Sequence, residues 1–193
     1  NGPFEEFLLA IDRIEVPTLE NFERVKNKFT QLLQTGEVAA FIFEPLVQGA
    51  NAMRMYDANL LDQLIAIAKE YNVITIADEV MTGFGKTGKN FAADYLENKP
   101  DIMCLSKSLT GGVVPMALTT CTQEIYDTFY DDNIQKGFFH GHTYSANPLG
   151  CTAIKAGIEL LTSQEMQANI RRIEIQHQSF EERIKTHKLV KST

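Results

Sequence analysis

The sequence contains no tryptophan, only three cysteines and six prolines, and fewer basic than acidic residues, 18 Lys+Arg against 25 Asp+Glu in 193. Each shortage excludes something. Cys104, Cys121 and Cys151 lie far apart with no CxxC. That rules out a disulfide scaffold and leaves buried thiols in a reducing, cytoplasmic compartment as the expectation. A net charge of −7 without a basic cluster excludes a nucleic-acid surface. No apolar run approaches the roughly 18 residues of a membrane span, and the amino terminus carries no signal-peptide pattern. Internal repeats and low-complexity segments are absent as well. What is present is ordinary for a soluble globular protein: 44% hydrophobic and 22% charged residues, in a chain long enough for one domain with a sizeable core.

The hydrophobic pattern alternates between strand-like and helical segments. Residues 1–16 read as an extended lead-in. Pro17-Thr18 offers a helix start, with Leu19, Phe22, Val25, Phe29, Leu32 and Leu33 on one face and Gly36 as its stop. Val38 to Phe43 is a continuous apolar run, as for a strand covered on both faces. Glu44-Pro45 ends it and Gln48-Gly49 opens a loop. Asp57 can cap a helix whose apolar set is Leu60, Leu61, Leu64, Ile65 and Ala68. Further strands are predicted over Val73–Ala77, Ile102–Leu105 and Val113–Cys121, with a short helix near Gln123–Tyr130. Asn147 caps a helix running to Leu161. From Gln164 a long helix carries Met166, Ile170, Ile173, His177, Phe180 and Ile184 as one stripe, expected to face the core. The class is α/β, a mostly parallel sheet with helices on both faces.

The stretch from Ile74 to Thr110 holds the chemistry. One apolar run ends in Asp78-Glu79 and the next in Ser106-Lys107-Ser108. At the carboxyl ends of parallel strands these groups meet on the sheet edge where open α/β sheets bind ligands. A lysine there can form a Schiff base, and a carboxylate there can hold a protonated ring nitrogen. Taken singly, Lys107 could be a surface lysine and Asp78 a loop cap. Gly83 to Asn90 nearly spells a nucleotide-binding P-loop, so a degenerate nucleotide binder is a rival reading. It lacks the Mg²⁺-binding hydroxyl at Asn90 and follows two carboxylates rather than opening from the strand. His140-x-His142 has no third metal ligand nearby.

Together with Phe43-Glu44-Pro45, Met53-Arg54-Met55-Tyr56, Thr82-Gly83-Phe84-Gly85-Lys86-Thr87-Gly88, Pro100-Asp101-Ile102, Ser106-Lys107-Ser108-Leu109-Thr110-Gly111-Gly112 and Asn147-Pro148-Leu149, these residues resemble class III pyridoxal-phosphate aminotransferases over residues 38–165. The resemblance implies the large domain of a fold-type I transferase, incomplete at both ends. Residues 1–163 would belong to it, and 164–193 would lead into a truncated small domain. It implies pyridoxal 5′-phosphate as cofactor, with Lys107 as the covalent lysine that then moves a proton between Cα and C4′. Asp78, 29 residues earlier, would partner the pyridinium nitrogen, and Glu79 would be structural.

Gly141, His142 and Thr143 match a family loop that crosses a homodimer interface, where His142 and Thr143 would bind the other subunit's cofactor, Thr143 at its phosphate. His142 replaces the commoner proline. Gly141 and Lys107 would also face substrate. Glu44 and Gln48 either support the cofactor from behind or shape their loop, and Arg54 either acts at the site or forms a structural ion pair. The partners implied are a small-molecule amino donor and a keto acceptor, with neither nucleic acid nor membrane.

Ala50 and Met81, with the Met53–Tyr56 run, resemble the biotin-synthesis branch of the family, with S-adenosylmethionine or lysine as donor. Another ω-aminotransferase or an aminomutase is the alternative. The family's phosphate cup, ring-stacking aromatic and carboxylate-binding arginine lie outside this stretch. The piece is therefore expected to be inactive alone, and a noncatalytic remnant is the alternative of a different class.

Overall fold

The structure, a computed structural model, describes residues 9–190; the first eight residues of the lead-in and the last three of the chain lie outside it. The elements are α1 (Phe22–Gln34), β1 (Ala40–Phe43), β2 (Val47–Gln48), β3 (Arg54–Met55), α2 (Ala58–Glu70), β4 (Ile74–Asp78), β5 (Ile102–Leu105), β6 (Leu118–Cys121), α3 (Gln123–Phe129), α4 (Pro148–Leu161) and α5 (Gln164–Ile184). The main sheet has the order β1-β4-β5-β6. Its first three strands are parallel, and β6 returns antiparallel to β5. The mostly parallel α/β sheet expected from the pattern is therefore present, with one antiparallel edge.

Helix α2 organises the core because its apolar residues divide between two partners. Leu60, Leu64 and Ala68 pack with Phe22, Val25, Phe29 and Leu33 of α1. Leu61 and Ile65 pack with Phe43, Ala77 and Ala93 beneath the sheet. Asp57 caps the helix as anticipated, its carboxylate accepting from the amides of Asn59 and Leu60. Gly36 just past α1 and Asn147 ahead of α4 also play their expected parts; Gly36 has φ +72° and the Asn147 side chain accepts from Gly150 N.

Several expectations need correction. Helix α1 starts at Phe22 rather than at Pro17, because Thr18 and Asn21 close a turn through reciprocal hydrogen bonds, and this leaves Leu19 87% exposed. The loop that Gln48-Gly49 opens is the connection of a two-stranded hairpin that the pattern did not announce, Val47–Gln48 pairing with Arg54–Met55. Strand β6 is shorter than the apolar run from Val113. Strand β1 is not covered on both faces: Ile42 is 63% exposed, on the side away from α2. No residue of α5 is buried. The helix meets the rest of the chain over its first half, where Gln167 donates to Asn90 Oδ1 and to the Leu161 carbonyl, and Ile170 and Glu174 lie against Gly85 and Gly88. Farther along, its stripe faces outward, Ile173 and Phe180 included. Cys121 and Cys151 are exposed and Cys104 half-buried, all with free thiols, so the expectation of buried thiols fails for two of three. Among the described residues no helix is long and apolar enough to cross a membrane.

Candidate active site

Alternation along β4 sends adjacent carboxylates to opposite faces. Ala77 is buried against Ile65 and Leu61, so Asp78 falls on the other face, opposite Cys104 of β5. Asp78 is half-buried and its Oδ1 accepts from Val80 N at 3.0 Å, while Oδ2 has no donor among the described residues. The neighbouring carboxylate pushes the Cys104 thiol upward, though less than burial does. Glu79 returns to the covered side and is fully buried. It accepts from Thr82 Oγ1 at 2.6 Å, Ala92 N at 3.1 Å and Ala93 N at 2.7 Å. This is the structural role expected of it.

Three residues beyond the position that pairs with Asp78, β5 gives way to Lys107. Its backbone is left-handed, φ +48°, between an extended Ser106 and a tight 3-10 turn over Lys107–Thr110. A non-glycine residue held in that region costs about 1–2 kcal/mol and persists only where the surroundings impose it. The surroundings are visible. Ser106 Oγ donates to the Met116 carbonyl, Thr110 Oγ1 donates to the Val114 carbonyl, and Leu109 is buried beneath α4. A Cβ on Gly157 of α4 would lie 2.8 Å from the Leu109 carbonyl oxygen, so that helix approaches as closely as only glycine permits. Lys107 itself is exposed, and its Nζ has no hydrogen bond or ion pair among the described residues.

Lys107 opens into a cavity of about 1000 Å³ whose walls include Met116, His142, Tyr144, Asn147 and Cys151. His142 is thus brought to Lys107. Its Nδ1 accepts from Tyr144 N at 3.1 Å and its own amide donates to Ser145 Oγ, which holds the loop in a tight turn. Gly141 and Thr143 lie in the same exposed turn but do not line the cavity. Asp78 is also outside the cavity wall, although it stands on the same edge of the sheet. Glu44 and Gln48 serve their hairpin: Glu44 Oε2 accepts from Gly49 N at 2.8 Å and Gln48 Oε1 accepts from Asn51 Nδ2 at 2.8 Å. Arg54 makes no ion pair among the described residues and is exposed, so the structural ion pair does not form.

Sequence reasoning missed Met116, Tyr144, Asn147 and Cys151 as neighbours of Lys107. Only Asn147 carried a usable signal, since a helix cap following the loop places the first turn of α4 beside it. Tyr56 was also overlooked, although its hydroxyl donates to the Glu44 carbonyl and its burial pushes the phenol well above its ordinary value. The P-loop rival does not survive the geometry. Gly85 N donates to the Asn90 carbonyl and Gly88 N to the Gly85 carbonyl, so these amides are consumed inside the loop.

A free primary amine on a strained turn and a carboxylate with an uncommitted oxygen on the adjacent parallel strand suit a cationic heteroaromatic aldehyde. The amine can bond covalently to the aldehyde while the carboxylate faces a ring N–H.

The family described as Aminotransferase class-III matches residues 3–192. Among curated relatives, the chain is 47% identical over 173 residues to the adenosylmethionine-8-amino-7-oxononanoate aminotransferase of Synechococcus elongatus, covering 86% of this chain and 41% of that protein. Among solved structures, the adenosylmethionine-8-amino-7-oxononanoate aminotransferase of Methanocaldococcus jannaschii superposes with a TM-score of 0.72 at 39% identity, over 79% of this chain and 36% of that one. An ornithine aminotransferase of Toxoplasma gondii, described as having partial occupancy of PLP at its active site, gives 0.75 at 26% identity over 96% and 41%. The chain spans about two fifths of the length of the curated relative it matches.

Proposed function

The chain belongs to the class III aminotransferases, and from that premise we propose that it carries the lysine-bearing half of a pyridoxal-phosphate site in an enzyme of biotin biosynthesis. That enzyme moves an amino group from S-adenosylmethionine to 8-amino-7-oxononanoate, giving 7,8-diaminononanoate. The observation that carries the reading is Lys107: an amine with no partner among the described residues, on a left-handed turn at the end of β5, one strand from Asp78. The likeness to relatives bearing that activity in their names supports the choice of substrate pair.

Pyridoxal phosphate, when bound, supplies a cationic ring that draws electron density from the substrate carbon as it loses its proton. The remaining work falls to this chain. Lys107 would hold the cofactor through Nζ, and the same amine would take and return the proton at the substrate Cα. The Asp78 carboxylate would face the ring nitrogen and favour its protonated form. His142, at the cavity wall, would border the cofactor, and Gly141, beside it in the turn, the substrate. Thr143 reaches the cofactor phosphate of a second copy in a homodimer. Its exposed turn, flanked by exposed Phe138, Phe139 and Tyr144, supports that role. Residues 1–163 form part of the large domain, and α5 leads toward a second, smaller one. Three free thiols suit a reducing cytoplasm.

The test is borohydride reduction of the full-length protein after incubation with pyridoxal phosphate, followed by peptide mass mapping. A pyridoxyl group on the Lys107 peptide is expected, and its absence overturns the reading. Turnover with S-adenosylmethionine against lysine then identifies the donor.

A further inference from the structure

Asp78 must present one face of its carboxylate to a ring nitrogen, yet among the described residues its side chain has a single hydrogen bond, from the amide of Val80 at 3.0 Å. A carboxylate held by one amide can swing unless that amide is itself immobile. The Val80 amide belongs to a turn fixed almost entirely by the next residue, Glu79. The Glu79 amide donates to the Cys104 carbonyl at 3.0 Å, continuing the β4–β5 ladder past its last pair. The Glu79 carbonyl accepts from Gly83 N at 3.0 Å, and its carboxylate accepts from Thr82 Oγ1. The same carboxylate accepts from the amides of Ala92 and Ala93, which open the 3-10 turn on the covered side of the sheet. The turn is thus stapled at both ends and from beneath.

Glu79 is fully buried and makes no ion pair among the described residues. Burying a carboxylate is costly even with hydrogen bonds, and an apolar residue of similar volume often serves stability as well or better. A buried carboxylate that ties the turn carrying Val80, through Thr82, to the 3-10 turn at Ala92 and Ala93 points to geometry as its purpose.

We propose that Glu79 is the positioning residue for Asp78: its buried carboxylate locks the Val80–Gly83 turn, and the Val80 amide in turn orients the Asp78 carboxylate toward the cofactor ring nitrogen. The inference rests on the pyridoxal-phosphate reading above. Glu79→Gln keeps the volume but replaces one accepting oxygen with an NH₂. Whichever way the amide is turned, either Ala92 N or Ala93 N loses its acceptor.

The test uses the full-length protein loaded with pyridoxal phosphate labelled with ¹⁵N in the ring. Wild-type, Glu79→Gln, Asp78→Asn and the double variant are compared by the ring ¹⁵N shift, kcat and melting temperature. In Glu79→Gln the ¹⁵N signal is expected to move toward the unprotonated position, and kcat to fall about tenfold. In the Asp78→Asn background the same substitution should change kcat by less than about twofold, because the two residues act through one chain of contacts. The loss in melting temperature should be equal in both backgrounds. An unmoved ¹⁵N signal, or an equal kcat factor in both backgrounds, overturns the proposal and leaves Glu79 a purely structural residue. If Glu79→Gln does not fold, Thr82→Val removes one of the three donors at constant shape. It should give a smaller shift of the same sign, and an unchanged signal there also overturns the proposal. No pyridoxyl group on Lys107 of the wild type removes the cofactor reading itself, and the positioning role falls with it, an outcome distinct from a labelled Lys107 with an unmoved ring signal.

Discussion

Replacing Gly85 with alanine tests how α5 is seated. Gly85 has φ +87°, and a Cβ built there lies 2.7 Å from Ile170 Cδ1 and 3.2 Å from Ile170 Cγ1. Two costs follow. The backbone cost of forcing an L-residue into positive φ is about 1–2 kcal/mol. The steric cost is smaller than the 2.7 Å contact suggests, because Cδ1 is the free end of a side chain on a helix with no buried residue and can rotate away. It stands near the low end of the range for overpacking, about 1 kcal/mol. Gly85→Ala should therefore destabilise the protein by about 2–3 kcal/mol, read from urea midpoints followed by circular dichroism. The two parts separate in a double-mutant cycle. In an Ile170→Ala background the clash disappears and only the backbone part remains, so the substitution should cost about 1 kcal/mol less than in the parent. Equal costs in the two backgrounds would show that Ile170 does not rest on Gly85, and a total effect below about 0.5 kcal/mol would refute the strain argument as well.

Removing the Asp57 side chain strips two amides at the start of α2 of their acceptor. Asp57→Ala should cost about 1 kcal/mol in the same urea experiment, and Asp57→Ser should recover most of it. Tyr56 predicts a pH dependence. Burial, the largest cause, holds its phenol well above the ordinary value of 10.0. The folded protein therefore keeps this proton more tightly than the unfolded chain does. The stability it contributes is complete below pH 10 and is lost as pH rises beyond it. Tyr56→Phe should flatten that alkaline decline in melting temperature while lowering stability near neutrality, where the Glu44 carbonyl loses its donor. An alkaline decline that persists unchanged in Tyr56→Phe would assign it elsewhere.

Local rules were legible wherever one residue decides one feature. Asp57 and Asn147 cap helices because their side chains reach amides two or three positions on, a relation contained within a few residues of sequence. Glycine at position 36 stops α1 for a comparable reason. The apolar runs over β4 and β5 announced parallel strands, and with them the shared edge that carries Asp78 and Lys107. What sequence could not supply was anything dependent on where a face ends up. The stripe on α5 has the same period whether it packs or not, and the structure leaves Ile173 and Phe180 outward because only the first half of the helix meets the glycine loop and α4. Ile42 and the thiols of Cys121 and Cys151 are exposed for the same reason: hydrophobic residue types register a preference for burial, whereas burial itself requires a neighbour. The left-handed backbone of Lys107 is likewise a tertiary decision. Nothing in Ser-Lys-Ser demands positive φ. The turn is held by the close approach of α4 through Gly157 and by the hydroxyl ties of Ser106 and Thr110, all of them contacts between segments.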